Sequence, residues 1–174
     1  MVGERQDRVD RSRQEVILRD ATVVDDAALE NLDIGADTSS WLEEVSEIVA
    51  GLLAWRDDPA NRPLDRRVVV ADVDGEVVAV AAHECIEHER LGPLDDHRYL
   101  MVVAVRADHR RDGVARVLTE SLFAEMQTSG VQTVQWLVHP ENLASAGFSR
   151  SVFPEADETY PPEDRPYIKF VLAL

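Results

Sequence analysis

The stretch "VAVRADHRRDGVARVL", residues 103–118, decides how the chain is read. It starts as an apolar strand, crosses a short loop rich in arginine, and continues as a helix with apolar residues at helical spacing. The first turn of any helix carries backbone N–H groups without intrahelical partners, and the positive end of the helix dipole. An anionic group placed there is stabilised without a dedicated side chain. Gly113 lets a ligand approach the backbone because no Cβ intervenes, and Ala115 is the next smallest choice. Arg110, Arg111 and Arg116 add positive charge to a chain whose net charge is −16. A basic cluster at a helix start in so acidic a protein is best explained by a phosphate. The competing reading is a tight turn with surface arginines. Neither GxxxxGKS/T nor GxGxxG is present, so the stretch is not a P-loop or a dinucleotide fingerprint.

Around it, 174 residues with 45% hydrophobic and 30% charged residues fit one globular domain able to bury a core. We expect a frayed tail over residues 1–14 and a single domain over 15–174. The longest apolar runs, such as Val68–Ala71 and Leu100–Val105, are strand-sized and too short to span a bilayer. Nothing near Met1 resembles a signal peptide. Cys85 is the only cysteine, so no intrachain disulfide can form and a reducing cytoplasm is the expected location. The acidic balance argues against nucleic acid, which needs a basic face, and suits a cationic partner such as an amine. It equally serves solubility.

Periodicity supplies the element order. Residues 16–32 predict a strand, a polar turn and a short helix that Asp25 or Asp26 can cap. Residues 38–55 predict a stronger helix, with a capping box from Ser40 and Glu43 and an apolar face of Trp41, Val45, Ile48, Val49 and Leu52. Strands at 66–73 and 76–88 flank Asp74-Gly75, a favoured two-residue hairpin turn. "GPLDD" (92–96) predicts another turn, followed by a strand at 97–105, a helix at 113–128 and a strand at 131–138. A short helix over 140–153, an irregular acidic segment over 154–166 and a final strand over 167–174 complete the chain. This order predicts an α/β fold with a mixed rather than all-parallel sheet.

Residues 103–118 resemble the acetyl-CoA motif of the GCN5-related N-acetyltransferases, the GNAT superfamily. Its Arg/Gln-x-x-Gly-x-Gly/Ala pattern is met by Arg110, Gly113 and Ala115, and the element order is similar over about residues 16–174. The resemblance implies a mixed, mostly antiparallel sheet flanked by helices, with a splayed cleft between its two central strands. It also implies an acetyl-CoA-dependent enzyme acting on a primary amine by direct attack in a ternary complex. The acceptor would be a small molecule or a peptide amine, and a homodimer is compatible. A coenzyme A-binding sensor or partner-binding module without acetyl transfer is the alternative.

Carried over residue by residue, the resemblance gives the pyrophosphate to the backbone of Arg110, Arg111, Asp112, Gly113, Val114 and Ala115, with Arg116 close by. Val103 and Val105 would pair through their main chain with the pantetheine arm, and a backbone N–H near Val103 would face the developing oxyanion. In the second family motif, Asn-x-x-Ala and then Tyr, Asn142 matches and Ser145 replaces the alanine. The tyrosine position falls on Ser149, or on Phe148 with a helix one residue shorter. The usual acid is therefore missing; a water held by Ser149, or Tyr160 or Tyr167, are substitutes.

The base is sought in "HECIEHE" (83–89), where alternation separates His83, Cys85 and Glu87 from Glu84, Ile86 and His88. Glu84 is the choice, on the family's placement of this strand beside the cleft; the alternative is a solvated strand charge. No metal is expected, since one cysteine and scattered histidines make no ligand cluster. The acidic segment, with Tyr160 and Tyr167, is a candidate wall for a cationic acceptor.

Overall fold

The computed structural model describes residues 15–35, 66–88, 92–160 and 167–174, together with Glu43, Val45, Glu47–Val49, Gly51 and Leu52. The expected tail at 1–14, Ser40 and Trp41 lie outside the described residues. Apolar alternation and β-branched runs build seven strands, β1 (Val16–Asp20), β2 (Arg67–Val73), β3 (Glu76–His88), β4 (Gly92–Val105), β5 (Thr133–Val138), β6 (Asp157–Thr159) and β7 (Ile168–Ala173). Helices α1 (Asp26–Glu30), α2 (Val114–Thr128) and α3 (Leu143–Val152) join them, and the described residues between Glu43 and Leu52 are helical as expected.

The strands form one sheet in the order β1-β2-β3-β4-β5-β7-β6. Every pairing is antiparallel except β4 with β5. Asp74 and Gly75 both take positive φ, 54° and 84°, as a tight β2–β3 hairpin turn requires. On one face, Val114, Leu118, Leu122, Phe123 and Met126 of α2 pack on Val69, Ala71, Ala79 and Ala81. On the other, Leu29, Val49 and Leu52 cover Val70, Val80, Ala82, Val102 and Ala104.

Three expectations need correction. Residues 92–96 are not a turn but the start of β4, because Gly92–Leu94 pair with Ile86–His88 of the long β3. Pro93 is tolerated there because β5 begins its pairing only at His97, which leaves that side of β4 an edge. Residues 154–166 are not wholly irregular, since β6 pairs with β7 at the sheet edge. Asp25 does not cap α1 with its side chain. Its carboxylate accepts from Arg19 Nη1 and Nη2 at 2.8 and 2.7 Å and from the Thr22 backbone N–H at 2.8 Å.

That pairing makes a pH prediction. The Arg19 guanidinium outweighs burial and holds the buried Asp25 carboxyl down at about 2. A carboxyl depressed in the folded state stabilises above its unfolded value, near 4, and loses that contribution as pH falls toward 2. Asp25→Asn should therefore cost on the order of 2 kcal/mol near neutral pH, with the gap to wild type closing near pH 2. Thermal melts across that range check it; a gap that does not narrow with acid contradicts it.

Candidate active site

β4 and β5 pair at only three positions, His97–Thr133, Arg98–Val134 and Tyr99–Gln135. Beyond Tyr99 each strand keeps its outer neighbour: β4 stays with β3 as far as Val105–Ala79, and β5 stays with β7 through Val138–Ile168. A bulge in β4 accompanies the parting, since Ala82 faces Val102 while His83 faces Leu100, leaving Met101 as the extra residue. Bulges sharpen local twist and re-aim the chain. The result is a wedge open between residues 100–105 and 136–138. The Arg106 N–H donates to the Val78 carbonyl of β3 at 2.8 Å. Backbone groups alternate sides along a strand, so those of Val105 and Val103 point into the wedge.

The chain leaves β4 through a 3₁₀ turn, Ala107–His109, into Gly113, the residue that starts α2. Arg111 and Gly113 take positive φ, 73° and 83°. Among the described residues no side chain caps α2, and its first turn holds no acidic residue. Among the described residues, no group accepts from the N–H of Val114, Ala115 or Arg116, and the first helical bond is Val117 N–H to the Gly113 carbonyl. A Cβ built on Gly113 meets nothing within 4 Å, so the approach to these donors is open. Uncapped donors, left-handed backbone and open space together fit an anion.

The arginines divide by partner. Arg106 is neutralised by Asp108, at 2.7 Å from Nε, and by Glu76, at 3.0 Å from Nη1. Arg110 turns its Nη2 to the Ile34 carbonyl, so its side chain ties the loop to the segment after α1. Arg110, Arg111 and Arg116 have no carboxylate within ion-pair distance among the described residues, and of these only Arg110 is tied to a backbone carbonyl. Asp112 lies 3.8 Å from Nδ1 of the buried His109.

The second motif is committed more to structure. The Asn142 side chain caps α3, accepting from the Ser145 N–H at 3.0 Å. Ser149 is buried, and its Oγ accepts from Trp136 Nε1 at 3.0 Å. Trp136 stacks on Phe170 at 5.4 Å and meets Phe153 edge-on at 5.6 Å, within the core behind β5. Phe148, the other position considered for the tyrosine, is partly buried beside Phe153.

Glu84 faces Tyr99 across β3 and β4, at the apex of the wedge, but β4 stands between its strand and the opening. Its Oε2 accepts from Arg66 Nε and Nη2 at 2.9 and 2.6 Å. His83 is buried on the opposite face of β3, and Cys85 Sγ accepts from Arg98 Nη1 at 2.8 Å. The side chain of His88 lies outside the described residues. Among the described residues, no three His, Cys, Asp or Glu side chains gather as a metal site requires, and no helix is long and apolar enough to cross a membrane.

Only the first part of the acidic segment, residues 154–160, is among the described residues, and it lies at the sheet edge. β6 lies two strands beyond β5, where Glu158 is held by Arg150 at 2.6 Å and receives the Tyr160 hydroxyl at 2.5 Å. Arg150, more than Tyr160, lowers the Glu158 carboxyl to about 2. Tyr167 is nearer, edge-on to His139 at the end of β5. Sequence reasoning missed four features: His109, the Met101 bulge, Arg66 and the Trp136–Ser149 bond. Only His109 had a local signal, lying within the loop itself.

Comparisons with known proteins agree with this geometry. Residues 27–152 match the acetyltransferase (GNAT) family. A ribosomal-protein-alanine N-acetyltransferase from Brucella melitensis is similar at 22% identity and TM-score 0.66, covering 91% of this chain and 99% of that one. The ribosomal-protein-S18-alanine N-acetyltransferase from Escherichia coli is similar at 21% and 0.61, covering 92% and 93%. The PaiA N-acetyltransferase from Thermoplasma acidophilum, in complex with coenzyme A, is similar at 12% and 0.67, covering 92% and 99%. No curated protein matches the chain.

Proposed function

Since the chain belongs to the GNAT acetyltransferase family, whose members use acetyl-CoA to acetylate amines, we propose that it acetylates a primary amine by direct attack in a ternary complex. The observation that carries the placement of the donor is the uncapped start of α2 behind Gly113, opening onto the wedge between β4 and β5. The N–H groups of Gly113, Val114, Ala115 and Arg116, with the charges of Arg111 and Arg116, hold the pyrophosphate. The backbones of Arg110 and Asp112 complete the loop. Val103 and Val105 offer their main chain to the amide-bearing arm, and the amide nitrogen of Asn142 and the rim at Ser145 border it. Acetyl-CoA, when bound, supplies the activated thioester.

The remaining work falls to this chain's own groups. The amine must lose a proton to attack, and Glu84 accepts it, directly or through water, on Oε1, the carboxylate oxygen that Arg66 does not bond. A backbone N–H near Val103 faces the negative charge that develops on the acetyl oxygen. A water held by the Ser149 hydroxyl, whose oxygen accepts from Trp136, supplies a proton to the departing thiolate. Two similar structures bear the names of ribosomal-protein-alanine N-acetyltransferases. They favour a peptide amine over a small molecule as acceptor, and the net charge of −16 favours one carrying further positive charge.

Thiol release from acetyl-CoA, measured over a panel of amines and cationic peptides, tests the proposal. Glu84→Gln should lower kcat by about a hundredfold, within the range for a lost general base, and change the shape of the pH–rate profile. An unmoved profile takes Glu84 out of the role.

A further inference from the structure

We propose that His109 is the positioning residue of the pyrophosphate loop, a role that rests on acetyl-CoA binding there. The loop needs one. Arg111 holds a left-handed φ of 73° without being glycine, a conformation that persists only where surroundings enforce it. Among the described residues, backbone bonds support the chain only as far as Arg110: Ala107 N–H to the Asp33 carbonyl at 2.7 Å, His109 N–H to Arg106 at 3.0 Å, and Arg110 N–H to Ala107 at 3.4 Å. Beyond that point the N–H groups are wanted by the ligand, so the turn must be held from a side chain.

His109 is the buried side chain in that place, 8% exposed between the two ends of the turn. Its Nε2 lies 2.9 Å from Arg106 Nη2. A guanidinium has only donors, so Nε2 accepts and the ring's proton sits on Nδ1. That Nδ1–H faces Asp112 Oδ2 at 3.8 Å, immediately before Gly113. Asp108 Oδ2 stands 3.9 Å from Nε2 and pairs with Arg106. Arg106 in turn reaches Glu76 at the end of the β2–β3 turn. The imidazole thus spans the turn from Arg106 at one end to Asp112 at the other. It fixes the aim of the donors that follow without touching the ligand.

The role separates binding from chemistry. His109→Leu should raise the KM and the Kd for acetyl-CoA about tenfold, the loss of one hydrogen bond to a charged group, and leave kcat and the amine KM within about twofold. His109→Gln, whose amide oxygen can still accept from Arg106, should recover to within about threefold of wild type. If His109→Leu fails to fold, Arg106→Gln removes the guanidinium fork from the other side and should weaken acetyl-CoA in the same way. Unchanged affinity in a folded His109→Leu variant overturns the role, and so does an equal loss in the leucine and glutamine variants, which would mean packing alone. Failure of the wild-type protein to bind acetyl-CoA would instead remove the reading of the loop on which the role depends.

Discussion

Gly113→Val should raise the Kd for acetyl-CoA by about a hundredfold or more while the protein remains folded. Among the described residues outside its chain neighbours, nothing lies within 4 Å of the new Cβ, so the Cβ itself meets no clash. Two effects act instead. The side chain enters the space through which the pyrophosphate approaches. The φ of 83° is also hostile to a β-branched residue, and relaxing it re-aims the N–H groups of Val114, Ala115 and Arg116. The strain itself is roughly 1–2 kcal/mol, or about 2–8 °C in Tm for a chain of this size. Gly130→Val is the matched control. Gly130 has φ 88° and open space around its Cβ site, but lies at the other end of α2. It should show a similar loss of Tm with binding intact. Equal losses of affinity in the two variants would show that strain in α2, not the cradle, is being measured.

Trp136→Ala should cost about 3–5 kcal/mol, the range for deleting a large buried aromatic, and lower Tm by roughly 6–20 °C. The indole touches Phe170 of β7, Phe153 after α3 and Phe123 of α2, so it ties β5 to both helices behind it. β5 is also one wall of the wedge and is held to β4 at only three positions. Loosening it should therefore widen the wedge and raise the acetyl-CoA KM as well. Trp136→Phe keeps most of the packing but removes the donor to Ser149, and should cost about 1 kcal/mol beyond the volume lost. A Trp136→Ala variant that melts within about 2 °C of wild type would contradict the packing account.

Sequence alone revealed what depends on neighbours in the chain. The strand-to-helix junction at Gly113 was legible because a left-handed glycine ahead of an apolar helical run needs no distant partner. Asp74-Gly75 fixes its hairpin by backbone conformation alone, and β3 runs over the residues its alternation marked. What stayed hidden depends on distant residues. Arg66 meets Glu84 from 18 positions away, and Trp136 meets Ser149 from 13, so neither bond leaves a periodic trace. "GPLDD" has turn composition, yet the length of β3 draws it into the sheet, a tertiary pairing that overrides local preference. The Met101 bulge is invisible because one extra residue in an apolar run changes no composition.

Binding of the acetyl-CoA pyrophosphate at the start of α2 is measured by melting the wild-type protein with and without acetyl-CoA at about 100 times its Kd. Binding to the folded state alone adds roughly 2.7 kcal/mol at that ratio. For a chain of this size, Tm should rise by roughly 5–11 °C, and the rise should be lost in Gly113→Val and kept in Gly130→Val. An unchanged Tm for the wild-type protein would mean that "DHRRDGVARVL" (108–118) is only a turn carrying arginines.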